Sequence, residues 1–477
     1  MNSNRTPELS ASPDPKDHPP LSRRSFLARS AGWVTAGATA PLLVPRPILG
    51  AGEQPPSETL TLAAVGIGGM GQHYLDGCKG ARVVALCDAD HNLAGKVFEK
   101  YPGAARYKDF RKMFEKEAKN FDALIIGTPD HTHAVILMAA LQLGKHVYCA
   151  KPVTHTIGEA RKVRQAVLAA QRLVTKTSAQ SSGTEGARST TELLNAGVIG
   201  PVRALHVWCD HPVYPCSVVR PTELQTPPDG MDWDLWLGPA PYRPYHSAYH
   251  PWKWRPWWDF GGGTVGDMAC HTFHLYFNEL QLGVPKSAHG YGSFRCEGMS
   301  TRVETPECQS HANVVTWEFP ARGQLPPLQL HWYDGGMKPP RPVELDATVR
   351  MPSTGLLFVG EKGKLMAGFS GGRFLSGRGF DGGLLLPEEK FRDFQPPPKT
   401  LRRVPDHYGE WTQACRTGAR TVCPLEFGCE MTELALLGAL ALRTGRLLTW
   451  DAQAGRVTND DEANQWVNPP YRKGWTL

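Results

Sequence analysis

The glycine-rich turn at residues 66–71 constrains the fold of this chain more than any other feature. It follows the apolar run 60–65 and leads into a short helix pattern, after which a second apolar run, 83–87, ends at Asp88. Strand, glycine turn, helix, strand and acid in this order are typical of a dinucleotide-binding βαβ unit. The predicted cofactor contacts of the turn are Gly66, Ile67, Gly68, Gly69, Met70 and Gly71.

The glycines of the turn have separate physical tasks. Gly66 allows the tight turn, Gly68 lets the backbone approach a pyrophosphate, and Gly71 lets the helix pack close to its strand. The helix N-terminus then faces the phosphate charge. Asp88 follows at the distance where a carboxylate binds the hydroxyls of the adenosine ribose. Because that carboxylate repels a 2′-phosphate and no basic residue follows it directly, the sequence predicts NAD rather than NADP.

The segments around and after the turn alternate between strand and helix patterns. This alternation predicts a doubly wound parallel sheet of the Rossmann type over residues 59–178, with its ligand crevice at the carboxyl ends of the strands. Strands are predicted at 60–65, 83–88, 123–127, 146–149 and 173–177, and helices at 70–79, 91–100, 109–118, 132–144 and 157–172.

The pattern changes after residue 178. Strand-like and helical runs there are separated by long loops rich in Pro, Gly and Trp, which predicts a second, C-terminal α+β domain over 179–450 with a largely antiparallel open sheet. Residues 451–477 are interpreted as a C-terminal tail. The predicted strands are 202–209, 311–319, 326–333 and 355–359, the predicted helices are 185–197, 406–418 and 424–445, and 370–404 is predicted to be a surface loop.

Residues 1–51 are interpreted as a Tat-type signal and leader. Arg23 and Arg24 precede a mildly apolar, Ala/Gly-rich run at 31–44, an arrangement typical of twin-arginine export. The Tat machinery carries folded passengers, and a dinucleotide enzyme must fold around its cofactor in the cytoplasm, so the signal and the glycine turn support each other. We therefore expect a periplasmic or otherwise exported protein whose cofactor is tightly bound.

The charge and the cysteine content argue against several other classes of protein. The formal net charge is +6, without a basic stripe, so we expect no nucleic-acid partner. No apolar stretch outside the leader is long enough to cross a bilayer, so no membrane span is expected in the mature protein. The 11 cysteines show no Cys-x-x-Cys pairing, and we predict neither a metal centre nor a disulfide framework.

The loop after the 123–127 strand contains four candidate cofactor contacts at the expected crevice. The backbone of Thr128 and Pro129 is positioned to line the cofactor. For His131 and His133 two interpretations stand side by side: contact with the cofactor, or capping and packing of the helix that follows.

Lys151 follows the next strand, near the expected position of the nicotinamide, and is a further candidate cofactor contact. Pro152 disfavours helical geometry at Lys151, so that its side chain can be aimed reproducibly. An ammonium there can polarise a carbonyl or lower the pKa of a substrate hydroxyl. The alternative is a solvent-exposed lysine at a strand end.

A further candidate group follows the triple glycine at 261–263. Asp267 and His271 are four residues apart, on one helical face, so the carboxylate could orient the imidazole as a general-base pair. With His274, the two residues could instead ligate a metal, although no fourth ligand is evident. The third interpretation is a capped helix with a packed histidine.

Aromatic rings alternate with Arg, Lys and His along residues 242–260. Such a segment suits the apolar faces and hydroxyls of a sugar ring, and it equally suits packing against its own domain or a neighbouring subunit. The candidate substrate contacts are Trp257, Trp258, His274 and Tyr333.

Together these residues resemble the Gfo/Idh/MocA oxidoreductases, in particular a Tat-exported branch. The likeness rests on the turn at 66–71, Cys87-Asp88, residues 128–133, Lys151-Pro152, and residues 232–239, 257–261 and 266–268. The resemblance implies a Rossmann domain, an α/β domain whose open sheet forms oligomer contacts, NAD or NADP as cofactor, and sugars or cyclitols as substrates. It also implies Lys151 as the catalytic lysine and Asp267 with His271 as the acid/base group. The family usually has glutamate before that lysine, where this chain has Ala150.

The expected function is therefore that of an exported, homo-oligomeric (dimeric or tetrameric), NAD-dependent oxidoreductase acting on a hydroxyl of a sugar, cyclitol or related carbohydrate. One alternative is an NAD-dependent glycosidase that uses transient hydride transfer and retains its cofactor. The other is a non-catalytic, NAD-retaining sugar-binding protein, an interpretation supported by Ala150.

Overall fold

The structure is a computed structural model that describes residues 59–477; the predicted leader and its twin arginines lie outside the described residues. The first domain contains a six-stranded parallel sheet in the order β3-β2-β1-β4-β5-β6. Its strands are β1 (Thr61–Val65), β2 (Arg82–Cys87), β3 (Ala105–Tyr107), β4 (Ala123–Ile126), β5 (His146–Cys149) and β6 (Thr175–Thr177). The helices between them are α1 (Met70–Gly77), α2 (His91–Lys100), α3 (Phe110–Glu117), α4 (Asp130–Gln142) and α5 (Ile157–Ala169).

Local sequence signals explain where these elements begin. The carboxylates of Asp90 and Asp109 accept backbone N–H groups at the starts of α2 and α3. Thr156 and Glu159 form a reciprocal capping box at the start of α5. Every residue of β4 is buried, as expected for a central parallel strand covered by helices on both faces.

The second domain is built on a mixed sheet of nine strands in the order β15-β14-β13-β7-β12-β11-β8-β16-β17. All its neighbouring pairs are antiparallel except β7 with β12. The strands are β7 (Val202–Trp208), β8 (Ser287–Gly292), β11 (Asn313–Phe319), β12 (Leu328–Tyr333), β13 (Gly355–Gly360), β14 (Lys364–Ala367), β15 (Leu384–Leu386), β16 (Leu448–Asp451) and β17 (Arg456–Val457), and β9 (Arg295–Glu297) pairs separately with β10 (Thr301–Val303).

Helices cover one face of this sheet. The long helix α11 (Leu425–Thr444) packs against β8 and β11 and also contacts α5 of the first domain. The helices of this region are α6 (Glu185–Asn195), α7 (Trp233–Leu237), α8 (Gly263–Met268), α9 (Cys270–Phe273), α10 (His407–Thr417), α11 (Leu425–Thr444) and α12 (Asn464–Val467). No helix of the described residues is long and apolar enough to cross a membrane.

The predicted fold class is confirmed: a parallel Rossmann sheet is followed by an α+β domain with a mostly antiparallel sheet. The prediction of a surface loop over 370–404 is wrong in part, because β15 lies inside it and its three leucines are buried. The predicted boundary at 450/451 falls inside β16. All 11 cysteines are unpaired in the structure.

Candidate active site

A cavity of about 440 Å³ opens where the strands of the Rossmann sheet end. Val65, Cys87, Gly127 and Ala150, which end or follow β1, β2, β4 and β5, all line it. The opposite wall comes from the second domain, including the segment that contains Trp252. Ligands of open α/β sheets bind at this position.

Gly66, Gly68, Gly69 and Met70 of the glycine turn line this cavity, whereas the predicted contacts Ile67 and Gly71 do not. Gly66 has a φ of +77°, and a Cβ on it would lie 2.6 Å from the Cα of Thr128. A Cβ on Gly71 would overlap the carbonyl oxygen of Gly66. No side chain caps the N-terminus of α1 at Gly69, so this end of the helix is open to an anion. Thr128 lines this cavity, and its Oγ1 is buried without a hydrogen-bond partner among the described residues.

Asp88 holds the turn in place. Its Oδ2 accepts the N–H groups of Ile67 (2.8 Å) and Gly68 (2.9 Å), and its Oδ1 accepts the N–H of Asp90 (3.0 Å). A carboxylate accepts about four hydrogen bonds, so acceptor capacity remains for a ribose hydroxyl. Burial raises the pKa of Asp88, and the three N–H donors offset only part of that effect.

The two histidines of α4 are held by main-chain carbonyls. The ring nitrogens of His133 lie 2.8 Å from the oxygens of Pro152 and Thr128, and His133 lines the cavity together with Thr128 and Pro129. The ring of His131 lies 2.9 Å from the Trp236 oxygen and 3.3 Å from the Phe260 oxygen, outside the cavity. Burial lowers the pKa of His133 to about 4 and that of His131 to about 3.

Lys151 and Asp267 meet at the interface of the two domains. The Lys151 ammonium binds the Asp267 carboxylate and also donates to the Asp267 main-chain oxygen at 2.6 Å. Arg255 approaches the other carboxylate oxygen, with Nε 3.4 Å from Oδ2. Burial alone would raise the pKa of Asp267, but the positive charges of Lys151 and Arg255 outweigh it and hold that pKa well below its usual range.

His271 lines the same cavity, one turn after Asp267. The hydrogen bonds of residues 59–477 include none to its ring, so the expected orienting bond from Asp267 is not formed. Burial, aided by the Lys151 charge, lowers the pKa of His271 to about 3. The imidazole is therefore neutral at pH 7.

Sequence reasoning missed two further charged residues of this site, Asp130 and Arg255. Asp130 is 4% exposed, and burial together with the Asp267 charge raises its pKa to about 7. Asp130 and Arg255 belong to two segments that the sequence analysis singled out, 128–133 and 242–260. Their charge, next to residues predicted to lie in the crevice, could have identified them.

The four predicted substrate contacts lie away from this cavity. Trp257 is fully buried, and Trp258 lines a second cavity of about 310 Å³. His274 bonds the Ser181 hydroxyl at 2.9 Å, and Tyr333 bonds His206 at 3.1 Å on the open face of the large sheet. The aromatic residues that do line the cavity are Tyr74, Phe110, Tyr214, Trp236, Trp252, Trp254 and Trp475.

Comparison with known families matches both domains. Residues 60–178 match the Gfo/Idh/MocA family described as "Oxidoreductase family, NAD-binding Rossmann fold". Residues 217–287 match its partner, "Oxidoreductase family, C-terminal alpha/beta domain". The prediction of an NAD-binding Rossmann domain is thereby confirmed.

Curated relatives match over part of their length. An inositol 2-dehydrogenase of Rubrobacter xylanophilus is 35% identical over 114 residues, which is 23% of this chain and 32% of that protein. One from Azotobacter vinelandii is 28% identical over 158 residues, which is 32% of this chain and 46% of that protein. The chain thus spans less than half the length of these relatives.

Solved structures share the fold across both domains. The WlbA dehydrogenase of Bordetella pertussis, in complex with NADH and UDP-GlcNAcA, has a TM-score of 0.56 at 16% identity and covers 82% of this chain and 98% of its own. An inositol dehydrogenase homologue of A. vinelandii, complexed with NADH and myo-inositol, has a TM-score of 0.53 at 17% identity with the same coverage. With the two domain models matched in chain order, residues 60–178 and 217–287 of this chain are similar to the Gfo/Idh/MocA oxidoreductases.

Proposed function

We propose that this protein is an NAD-dependent dehydrogenase that oxidises a hydroxyl group of a sugar or cyclitol. The observation that carries the proposal is the presence of Lys151, Asp267 and His271 in the same cavity as the glycine turn. The relatives named inositol 2-dehydrogenase, and the related structure that holds NADH and myo-inositol, support this substrate class.

In the proposed oxidation, His271, Lys151 and Asp267 have different roles. The neutral His271 ring takes the proton of the substrate hydroxyl, and the Lys151 ammonium stabilises the negative charge that develops on that oxygen. Asp267 positions Lys151 through two contacts, one from its carboxylate and one from its main chain. Bound NAD supplies the hydride acceptor, so the CH–OH group leaves as a carbonyl.

The test is NADH formation with a panel of sugars and cyclitols. We expect Lys151→Met and His271→Asn to lower kcat by about 10²- to 10⁴-fold, the range of positioned acid–base groups, with unchanged NAD affinity. Lys119→Met on the exposed surface is the matched control. Full activity in either active-site variant, or no oxidation of any substrate by the unaltered protein, contradicts the proposal.

We also propose that the protein is exported by the Tat machinery to the periplasm or beyond, with its NAD retained. Arg23 and Arg24 before an Ala/Gly-rich run support export, and the need to load a dinucleotide before export supports retention. Replacing both arginines by lysine is expected to leave the protein in the cytoplasmic fraction. Native mass spectrometry of the purified protein is expected to show bound dinucleotide. Export of the double variant would refute the Tat route, and a purified protein free of nucleotide would refute the retention of NAD.

We propose further that copies assemble through the open face of the nine-stranded sheet. Tyr291, Val314 and Tyr333 form a cross-strand row there, and Tyr291 is 65% exposed. An exposed aromatic side chain next to partly buried apolar neighbours favours contact with a partner surface. Light scattering is expected to give a dimer or tetramer, and the double substitution Tyr291→Glu with Val314→Arg is expected to give a monomer. A monomeric unaltered protein would refute the assembly.

A further inference from the structure

Arg255 is a second cation in the proposed active site, fixed at the substrate side of the cavity. Its guanidinium lies 4.1 Å from the ring centre of Trp252 and 4.5 Å from that of Trp254. Its Nη1 donates to the Trp252 oxygen at 3.3 Å, and its main-chain oxygen accepts the N–H of Gly263 at 3.1 Å. Two rings and the Trp252 oxygen therefore hold this planar group in one orientation.

The guanidinium keeps donor capacity for a ligand. Nε lies near the Asp267 carboxylate and Nη1 donates to the Trp252 main-chain oxygen, whereas Nη2 has no hydrogen-bond partner among the described residues. Arg255 lines the cavity, and only 13% of its side chain is exposed. A half-enclosed guanidinium with free N–H groups is suited to bind a carboxylate, and it does so with two parallel hydrogen bonds where geometry allows.

The charge balance at this end of the cavity favours an anion. Lys151 and Arg255 share the single carboxylate of Asp267, which leaves one positive charge unmatched. Asp130, which interacts electrostatically with Arg255, is only partly ionised near pH 7, and His271 is neutral. In a cavity with apolar walls, an unmatched charge acts strongly on a bound ligand.

The backbone at Trp252 has an unusual conformation. Its φ is +70°, in the left-handed region that bulky residues rarely adopt, and the residue is 49% exposed at the cavity wall. Strained positions of this kind persist where the surrounding structure requires them, often beside ligands. Here the strained backbone sets the Trp252 ring over Arg255 and aims its carbonyl at Nη1.

From these observations we infer that the substrate is an acidic sugar, whose carboxylate binds Arg255 while its reacting hydroxyl lies at Lys151 and His271. This inference rests on the proposed dehydrogenase function and adds the substrate class. Arg255 is then the residue that determines specificity, and Trp252 positions it.

The test compares matched pairs of substrates: D-glucuronate with D-glucose, D-galacturonate with D-galactose, and D-glucuronate with its neutral methyl ester. We expect kcat/KM to be at least about tenfold higher for each acid, and 0.5 M NaCl to raise KM for the acids alone because salt screens the charge pair. In Arg255→Gln the acid-to-neutral ratio is expected to fall by roughly 10- to 100-fold, as when a charge-assisted hydrogen bond is lost. The ratio cancels any effect that Arg255 exerts on all substrates through Asp267.

Arg255→Lys keeps the charge without the planar fork and is expected to give an intermediate ratio. Arg420→Gln, whose side chain is 76% exposed, is the control and should leave the ratio unchanged. Two outcomes would overturn the inference and leave the dehydrogenase function standing. The first is equal kcat/KM for acids and neutral sugars. The second is an acid-to-neutral ratio that does not change in Arg255→Gln although kcat falls for both kinds of substrate. If no sugar is oxidised, the dehydrogenase function fails, and calorimetric binding of glucuronate against its methyl ester then decides only whether Arg255 binds a carboxylate in this cavity.

Discussion

Asp130 begins α4 with its carboxyl buried, and a single backbone N–H, that of Gly262 at 3.4 Å, reaches it. Its pKa is about 7 in the folded protein against 3.8 as the ordinary value. Between these two values the folded protein holds a proton that the unfolded chain has released. The group therefore stabilises the fold below about pH 4, and this contribution is lost as the pH rises through about 7.

We predict that Asp130→Asn removes this part of the pH dependence. Urea unfolding at pH 5, 6, 7 and 8 should show a free energy of unfolding that declines more steeply with pH in the unaltered protein than in the variant. Asp381→Asn, at a side chain that is 57% exposed, is the control. Parallel pH profiles for the unaltered protein and Asp130→Asn would show that the carboxyl titrates in its ordinary range.

Single residues of the candidate site differ in how far the sequence could predict them. Lys151 was predictable because a parallel sheet places every strand end at one edge. Arg255 was not, because its contact with Asp267 depends on how a long irregular segment folds back over the cavity. For His131 the sequence motif was misleading. Its neighbours in the motif line the cavity, but its own ring contacts two main-chain carbonyl groups that are distant in the sequence.

At the scale of elements, the glycine turn and α1 are packed without space for a side chain at Gly71. A Cβ there would overlap the Gly66 carbonyl, so the helix must move away from the turn. We predict that Gly71→Ala destabilises the fold by about 1–3 kcal/mol, as overpacking does, and weakens NAD binding at least about tenfold because the helix N-terminus shifts. Urea unfolding and NAD titration measure both effects.

The matched control is Gly95→Ala on α2, where an added Cβ meets no atom within 4 Å. Alanine has the higher helix propensity, so this variant should be more stable by up to about 1 kcal/mol and should bind NAD normally. If Gly71→Ala behaves like Gly95→Ala, the close packing of α1 on the turn is refuted.

Elements with a strong period were predictable from the sequence, and short or wholly buried ones were not. The predicted strands 60–65 and 146–149 match β1 and β5 closely, because apolar runs between glycine and polar turns leave few alternatives. β3 has three residues and no apolar pattern. β15 is three leucines inside a Gly/Pro-rich stretch, and only pairing with β14 gives them a sheet to join.

At the scale of the whole molecule, chain order and spatial order differ. α10 packs on the Rossmann core, where Trp411 and Ala414 are buried with Tyr74 and Tyr148. Leu425 and Cys429 of α11 join the other face of the same core. Sequence patterns show where elements begin and end, but contacts over such separations arise only from packing, so the predicted linear domain limits could not show them.

The last residues of the chain also return to the Rossmann domain. The Tyr471 hydroxyl donates to the buried Glu159 carboxylate at 2.5 Å. Trp475 lies 6.1 Å from Phe110 between ring centres, beneath the Arg111 guanidinium at 4.6 Å, and lines the cofactor cavity. The segment therefore belongs to the wall of the site and is more than a tail.

We predict that deleting residues 471–477 lowers Tm and weakens NAD binding, because Glu159 loses a donor and the cavity loses a wall. Trp475→Ala separates the two effects: it should cost about 1–2 kcal/mol of stability through lost apolar burial and reduce NAD affinity. Tyr471→Phe should lower stability and leave NAD affinity unchanged, since Tyr471 lines the second cavity instead. Calorimetric unfolding and NAD titration measure both quantities, and normal NAD affinity in Trp475→Ala would remove the residue from the site.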